Sequence, residues 1–135
     1  MILVDTNVLL DVFQSDPVWA DWSQQQLDAA SLVDRLLINP MVYAELSIGF
    51  RNIEELEATI REVGLSFEEL PREALFLAGK MFLKHRRGAG ARSRVLPDFM
   101  IGAHAAVRRY PLLTRDTRHY RAYFPTLQLV SPTTK

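Results

Sequence analysis

Ile2-Leu3-Val4-Asp5-Thr6-Asn7 is the stretch on which the fold turns. Three apolar residues stop abruptly at a carboxylate, a hydroxyl and an amide. A short apolar run bounded by turn-forming residues reads as a buried strand. The pattern returns at Leu36-Leu37-Ile38, followed by Asn39-Pro40, and at Leu112-Leu113-Thr114, followed by Arg115-Asp116. Weaker runs at residues 66–70 and 127–130 bring the expected strands to four or five.

Helical patterns fill the intervals. A short helix is expected over 8–13. Asp16-Pro17 reads as an N-cap followed by proline at the first helical position, and opens a helix to residue 30. Asn39-Pro40 repeats the signal for a helix over 41–50. Ile53, Leu56, Ile60 and Val63 share one face of a helix that Gly64 ends. A long helix over 71–87 carries Ala74, Leu75, Ala78, Met81 and Phe82 on its apolar side. Residues 88–94 read as a basic, glycine-containing loop. Helices over 97–109 and 117–124 follow, the first with small residues at Gly102, Ala103, Ala105 and Ala106 that suit close packing on a sheet. Strands alternating with helices predict an α/β sandwich with a largely parallel central sheet.

The 135 residues suit one domain, 1–135. With no cysteine, disulfides and thiolate metal sites are excluded, which fits a reducing, cytoplasmic setting. No apolar run approaches the roughly 18 residues of a membrane span. The zero net charge hides a division: residues 1–79 hold 4 basic and 14 acidic side chains, residues 80–135 hold 12 basic and 2 acidic. Such asymmetry points to a cationic face for nucleic acid, or to mutual attraction of the two halves.

The two acids of the basic half, Asp98 and Asp116, each sit in a short phrase: Pro97-Asp98-Phe99-Met100-Ile101-Gly102-Ala103 and Leu112-Leu113-Thr114-Arg115-Asp116. In a parallel α/β fold, strand C-termini and helix N-termini share one edge, where ligands bind. Asp5 follows the first strand, Asp116 follows the fourth, Asp98 opens the helix before it, and Glu45 lies one to two turns into the helix after the second. All four should meet there. Taken singly, an aspartate at a strand–helix junction is commonly only a cap, and a helical glutamate is commonly solvated; the joint placement favours a site. Two carboxylates about 4 Å apart repel by roughly 4 kcal/mol at an effective dielectric near 20, so four together call for protons or a cation. Oxygen-only ligands select Mg²⁺ or Mn²⁺. Asn7 and Thr114 would support the carboxylates or orient a water.

These phrases, with Val42-Tyr43-Ala44-Glu45-Leu46, resemble a PIN-domain ribonuclease, and more narrowly the VapC-type toxins of bacterial toxin–antitoxin pairs. Order and spacing agree over nearly the whole chain. The resemblance implies a three-layer α/β/α sandwich. It implies a quartet of Asp5, Glu45, Asp98 and Asp116, with Asp5 and Asp98 the most regular Mg²⁺ ligands and Asp116 assisting. It also implies metal-dependent cleavage of RNA, often transfer RNA in this family, by a homodimer that a cognate antitoxin restrains. Glu45 or Asp116 would take a proton from the attacking water, and Arg86, Arg87, Arg92, Arg94 and Arg115 would follow the RNA backbone.

The alternative is a non-catalytic RNA-binding or interaction domain, which explains the basic half but not the acids. A phosphatase site would need a nearby lysine, and the basic half offers only Lys80, Lys84 and Lys135. No phosphate-binding Gly-Lys loop or serine elbow is present. His85, His104 and His119 lack metal spacing and are expected to face solvent. Trp19 and Trp22 are expected either in the core or, the reading preferred, on a dimer or antitoxin surface.

Overall fold

The computed structural model describes residues 1–89 and 96–132. Five strands, β1 (Ile2–Val4), β2 (Leu36–Ile38), β3 (Leu65–Phe67), β4 (Leu112–Leu113) and β5 (Leu129–Val130), form one sheet in the order β3-β2-β1-β4-β5. Every pairing is parallel, with Leu3 opposite both Leu37 and Leu112. The three inner strands are buried throughout, whereas edge strands β3 and β5 are partly exposed. That is why the inner strands read as unbroken apolar runs and the edges as weak ones. Helices α1 (Thr6–Phe13), α2 (Ala20–Val33), α3 (Pro40–Ser47), α4 (Ile53–Val63), α5 (Arg72–Ala89), α6 (Leu96–Arg108) and α7 (Arg118–Tyr123) flank the sheet in a three-layer α/β/α sandwich.

Several helix starts follow their caps. The Asp5 carboxylate accepts the Thr6 N–H at 2.7 Å, so α1 begins two residues earlier than its apolar pattern suggested. Asn39 accepts from the N–H groups of Met41 and Val42, with Pro40 at the first helical position. Asn52 caps α4, and Gly64 closes it with φ of 84°, a left-handed conformation that glycine adopts without Cβ strain. Asp16 does accept from Val18 and Trp19, but it caps a separate turn, and α2 begins only at Ala20 and extends to Val33. The third strand lies at Leu65–Phe67 rather than 66–70, because its register is set by Leu36 opposite Leu65. Of the basic loop expected at 88–94, Gly88 and Ala89 belong to α5, and 90–94 lie outside the described residues. Among the described residues, no helix is long and apolar enough to cross a membrane.

The chain builds β1, β2 and β3 outward in one direction, then crosses to β4 and β5 on the other side of β1. The reversal falls between β1 and β4. A crevice opens at such a point, outside the strand C-termini. Asp5 follows β1 and Thr114 follows β4, so both residues border it.

The small residues of α6 were expected against the sheet. Gly102 instead faces α7: a Cβ there would lie 2.6 Å from Phe124 and 3.1 Å from Tyr120. Gly79 in α5 has nothing within 4 Å of the same position. Two alanine substitutions should therefore act oppositely in urea denaturation. Gly79→Ala should stabilise by about 0.5–1 kcal/mol through helix propensity. Gly102→Ala should be net destabilising, because overpacking costs about 1–3 kcal/mol. Equal effects at the two sites would contradict this account of the α6–α7 contact.

Candidate active site

Asp5 is the anchor. It is buried, with 5 % relative exposure. Its Oδ1 accepts the Thr6 N–H, and its Oδ2 accepts the Thr114 hydroxyl at 2.8 Å, the Tyr120 hydroxyl at 2.9 Å and, at 3.5 Å, the Asn7 amide. Thr114 accepts from the N–H of Asp116 at 3.1 Å and from the Asn7 amide at 3.3 Å. Asn7 in turn accepts the Arg115 N–H at 3.4 Å. The two supporting residues read from sequence thus bind Asp5 to the segment after β4.

The other three acids surround this anchor. Glu45, half-buried on α3, accepts the Thr6 hydroxyl. Asp98 lies in the first turn of α6, and Asp116 is exposed at the rim, its Oδ1 accepting the Arg118 N–H at 3.2 Å. Burial pushes the Asp98 carboxyl up to about 7, and the charges of Asp5, Glu45 and Asp116 add to the shift. Asp5 is raised to about 6, mainly by burial, although its hydrogen bonds to Thr114, Tyr120 and Thr6 oppose the rise. Asp98 thus feels the charges of the other three acids, and Asp5 that of Glu45. Asp5 and Asp116 also cap backbone N–H groups; the structural and electrostatic roles coexist.

The donor chemistry fits a hard divalent cation. All four candidates offer oxygen, and none forms an ion pair among the described residues. Among those residues no three His, Cys, Asp or Glu side chains make a ready-formed ligand set. A cavity of about 490 Å³ lies elsewhere, lined by Ala105, Ala106, Arg109, Tyr110 and residues 126–128, and includes none of the four acids.

Sequence reasoning missed Tyr120. It is 2 % exposed, and its hydroxyl is held well above its ordinary pKa by burial and by the charges of Asp5 and Asp98, so it stays a donor. No local pattern marks it; the signal is a tyrosine at an apolar helical position whose partner lies 115 residues away.

Other expectations are corrected. Arg115 does not lie free along the surface. Its guanidinium pairs with buried Asp11 through two bonds of 2.8 and 2.9 Å and sits over the Trp19 ring at 5.3 Å. Asp11 also accepts the Ser23 hydroxyl, so this pair ties α1 and α2 to the rim. Trp19 and Trp22 are half-buried and meet edge to face. His85 and His104 are buried rather than solvent-facing. His85 lies 3.0 Å from the Tyr123 hydroxyl. His104 Nδ1 lies 3.1 Å from the Asn39 amide nitrogen, and its Nε2 lies 2.8 Å from Glu68. Because Asn39 Oδ1 is committed to capping α3, its NH₂ must donate, which makes Nδ1 the acceptor and Nε2 the protonated nitrogen. The His119 side chain, Arg92 and Arg94 lie outside what is described. Arg86 is exposed, and Lys80, Lys84, Arg109, Arg118 and Arg121 join it in forming no ion pair among the described residues.

The fold matches a known family. Residues 2–125 match the PIN domain model, and the chain belongs to the PIN domain family. A chain of the VapBC2 complex of Rickettsia felis, bound to a promoter DNA fragment, superposes with a TM-score of 0.74 at 19 % identity, covering 98 % of this chain and 100 % of that one. A chain of a toxin–antitoxin complex from Klebsiella pneumoniae gives 0.69 at 22 % identity with 100 % of both chains covered, and one of FitAcB from Neisseria gonorrhoeae gives 0.69 at 22 % with 96 % of each. No curated protein matches the sequence significantly.

The raised carboxyls have a consequence for stability. Between the unfolded value near 4 and the folded values of about 6 and 7, the native state holds more protons than the unfolded chain. Stability from these groups is thus present at low pH and lost as pH rises through that window. Asp16, Asp34 and Glu68, whose carboxyls are lowered, act below it. In metal-free buffer the urea midpoint should fall between pH 5 and pH 8, and Asp98→Asn should flatten the decline. A midpoint that rises over that range in the wild type would show that the carboxyls are not raised.

Proposed function

We propose that this protein is a metal-dependent endoribonuclease and the toxin half of a toxin–antitoxin pair, with residues 1–135 acting as one domain. The observation that carries the reading is the convergence of Asp5, Glu45, Asp98 and Asp116 at the sheet's switch point, with Asp98 raised to about 7 partly by the other three. Carboxylates kept together with no ion-pair partner among the described residues suit a divalent ion, and a phosphate would be repelled without one. PIN family membership supports the nuclease role. The shared fold with chains of toxin–antitoxin complexes supports the toxin role.

A divalent ion, Mg²⁺ or Mn²⁺, would supply Lewis-acid polarisation of a phosphate oxygen and an acidified water. Asp5, Asp98 and Asp116 would hold it. Thr114, Asn7 and the Thr6 N–H fix the Asp5 carboxylate so that little reorganisation accompanies binding. Glu45, steadied by the Thr6 hydroxyl, or Asp116 at the rim would serve as the base toward the attacking water. Cations without carboxylate partners, such as Arg86, Arg118 and Arg121, attract the RNA backbone. The substrate is RNA, transfer RNA being the first to test. The protein works in the cytoplasm as a homodimer, restrained by a small antitoxin.

The test is cleavage of an RNA pool by the purified full chain. EDTA should abolish cutting and Mg²⁺ or Mn²⁺ restore it, and Asp98→Asn, purified identically, should lose at least about 100-fold in rate while retaining its circular dichroism and RNA binding. EDTA-resistant cleavage that survives the substitution would overturn the assignment. RNA retained but uncut with every ion would favour a binding domain.

A further inference from the structure

The hydrogen bonds on Asp5 are unevenly shared. Oδ2 accepts two short hydroxyl bonds, 2.8 Å from Thr114 and 2.9 Å from Tyr120, with the Asn7 amide more distant at 3.5 Å. Among the described residues, Oδ1 accepts the Thr6 N–H at 2.7 Å and no second bond. A carboxylate oxygen has two lone-pair directions. Both are filled on Oδ2, and one remains on Oδ1. Tyr120 is seated to do this by the notch at Gly102, one turn beyond Asp98 on α6, where an added Cβ would lie 3.1 Å from the Tyr120 ring.

Resting on the metal-nuclease reading above, the geometry points to Tyr120 as a positioning residue that selects the ion: its hydroxyl, with that of Thr114, blocks Oδ2 and limits Asp5 to one-oxygen coordination. A small ion with six tightly held ligands accepts a single carboxylate oxygen and keeps its waters. Ca²⁺ prefers six to eight oxygens and readily takes both from one carboxylate. A site whose anchor offers one oxygen therefore disfavours Ca²⁺. Removing the Tyr120 proton frees Oδ2 and lets the carboxylate turn.

The experiment is calorimetric titration of the full-length chain with MgCl₂ or CaCl₂ alone, comparing wild type with Tyr120→Phe, which keeps the ring and loses only the hydroxyl. Wild type should bind Mg²⁺ more tightly than Ca²⁺. In Tyr120→Phe the ratio of the Ca²⁺ to the Mg²⁺ dissociation constant should fall about tenfold or more, the scale at which partners of a metal ligand act, with the far-ultraviolet spectrum unchanged. A purely structural role would weaken both ions together and leave the ratio constant; that result, or no change in either affinity, overturns the inference. So does a wild-type chain that binds Ca²⁺ as tightly as Mg²⁺, whatever the variant does. A wild type that binds neither Mg²⁺ nor Mn²⁺ sinks the metal-nuclease reading as well, whereas unchanged selectivity with intact Mg²⁺ binding sinks only the role given to Tyr120.

Discussion

A buried carboxylate at the end of the central strand is the constraint around which this molecule is arranged. Asp5 stops β1 where a further apolar residue would have prolonged the core, and burying its charge is costly unless hydrogen bonds replace the lost water. The replacements come from three places in the chain: the Thr6 N–H beside it, Thr114 after β4, and Tyr120 in α7. None of the distant donors reaches Asp5 until β4 has paired with β1 and α7 has docked on α6. Completing the fold and completing the site are thus the same event on this edge of the sheet.

The neighbouring acids run against stability. Placing Asp98 where three other carboxylates and burial all disfavour its charge is a local conflict of the kind that foldable sequences otherwise avoid. The chain has the means to relieve it. Arg115 stands between Thr114 and Asp116, yet its guanidinium turns away to Asp11 on α1. Arg115 braces the scaffold, and none of the four acids forms an ion pair among the described residues. Conflicts that persist although a remedy lies one residue away are better explained by function than by packing.

What the sequence made readable follows from the range of the forces involved. The inner strands were legible because strands buried on both faces are continuous apolar runs, and α3 because Asn39-Pro40 is a cap and a proline in adjacent positions. Asp5, Glu45, Asp98 and Asp116 were legible jointly because strand ends and helix starts share an edge in any parallel α/β sheet. The edge strand β3 was misjudged, by one residue at its start and three at its end, because its limits are set by its partner, not by its own composition. Tyr120, His104 and Arg115 were missed or misjudged for one reason: each is a polar group whose partner comes from a remote segment, Asp5, Asn39 and Asp11 respectively. Nothing within a few residues of a histidine tells whether an asparagine 65 positions away awaits its ring.

The charge asymmetry between the halves gains meaning from the same contacts. Mutual neutralisation is partly realised, through Asp11 with Arg115 and Glu68 with Arg108. Both pairs are scaffold contacts: the first holds α1 to the rim, and the second joins the Glu68–His104–Asn39 chain that links α6 to the cap of α3. Those two helices carry Asp98 and Glu45. Asp11 and Glu68 of the N-terminal half are therefore used on the scaffold, while exposed Arg86, Arg118 and Arg121 have no carboxylate partner among the described residues. The cations of the C-terminal half and the acids of the crevice thus set up two fields of opposite sign in one fold, the charge pattern on which the proposed use of a bridging divalent ion rests.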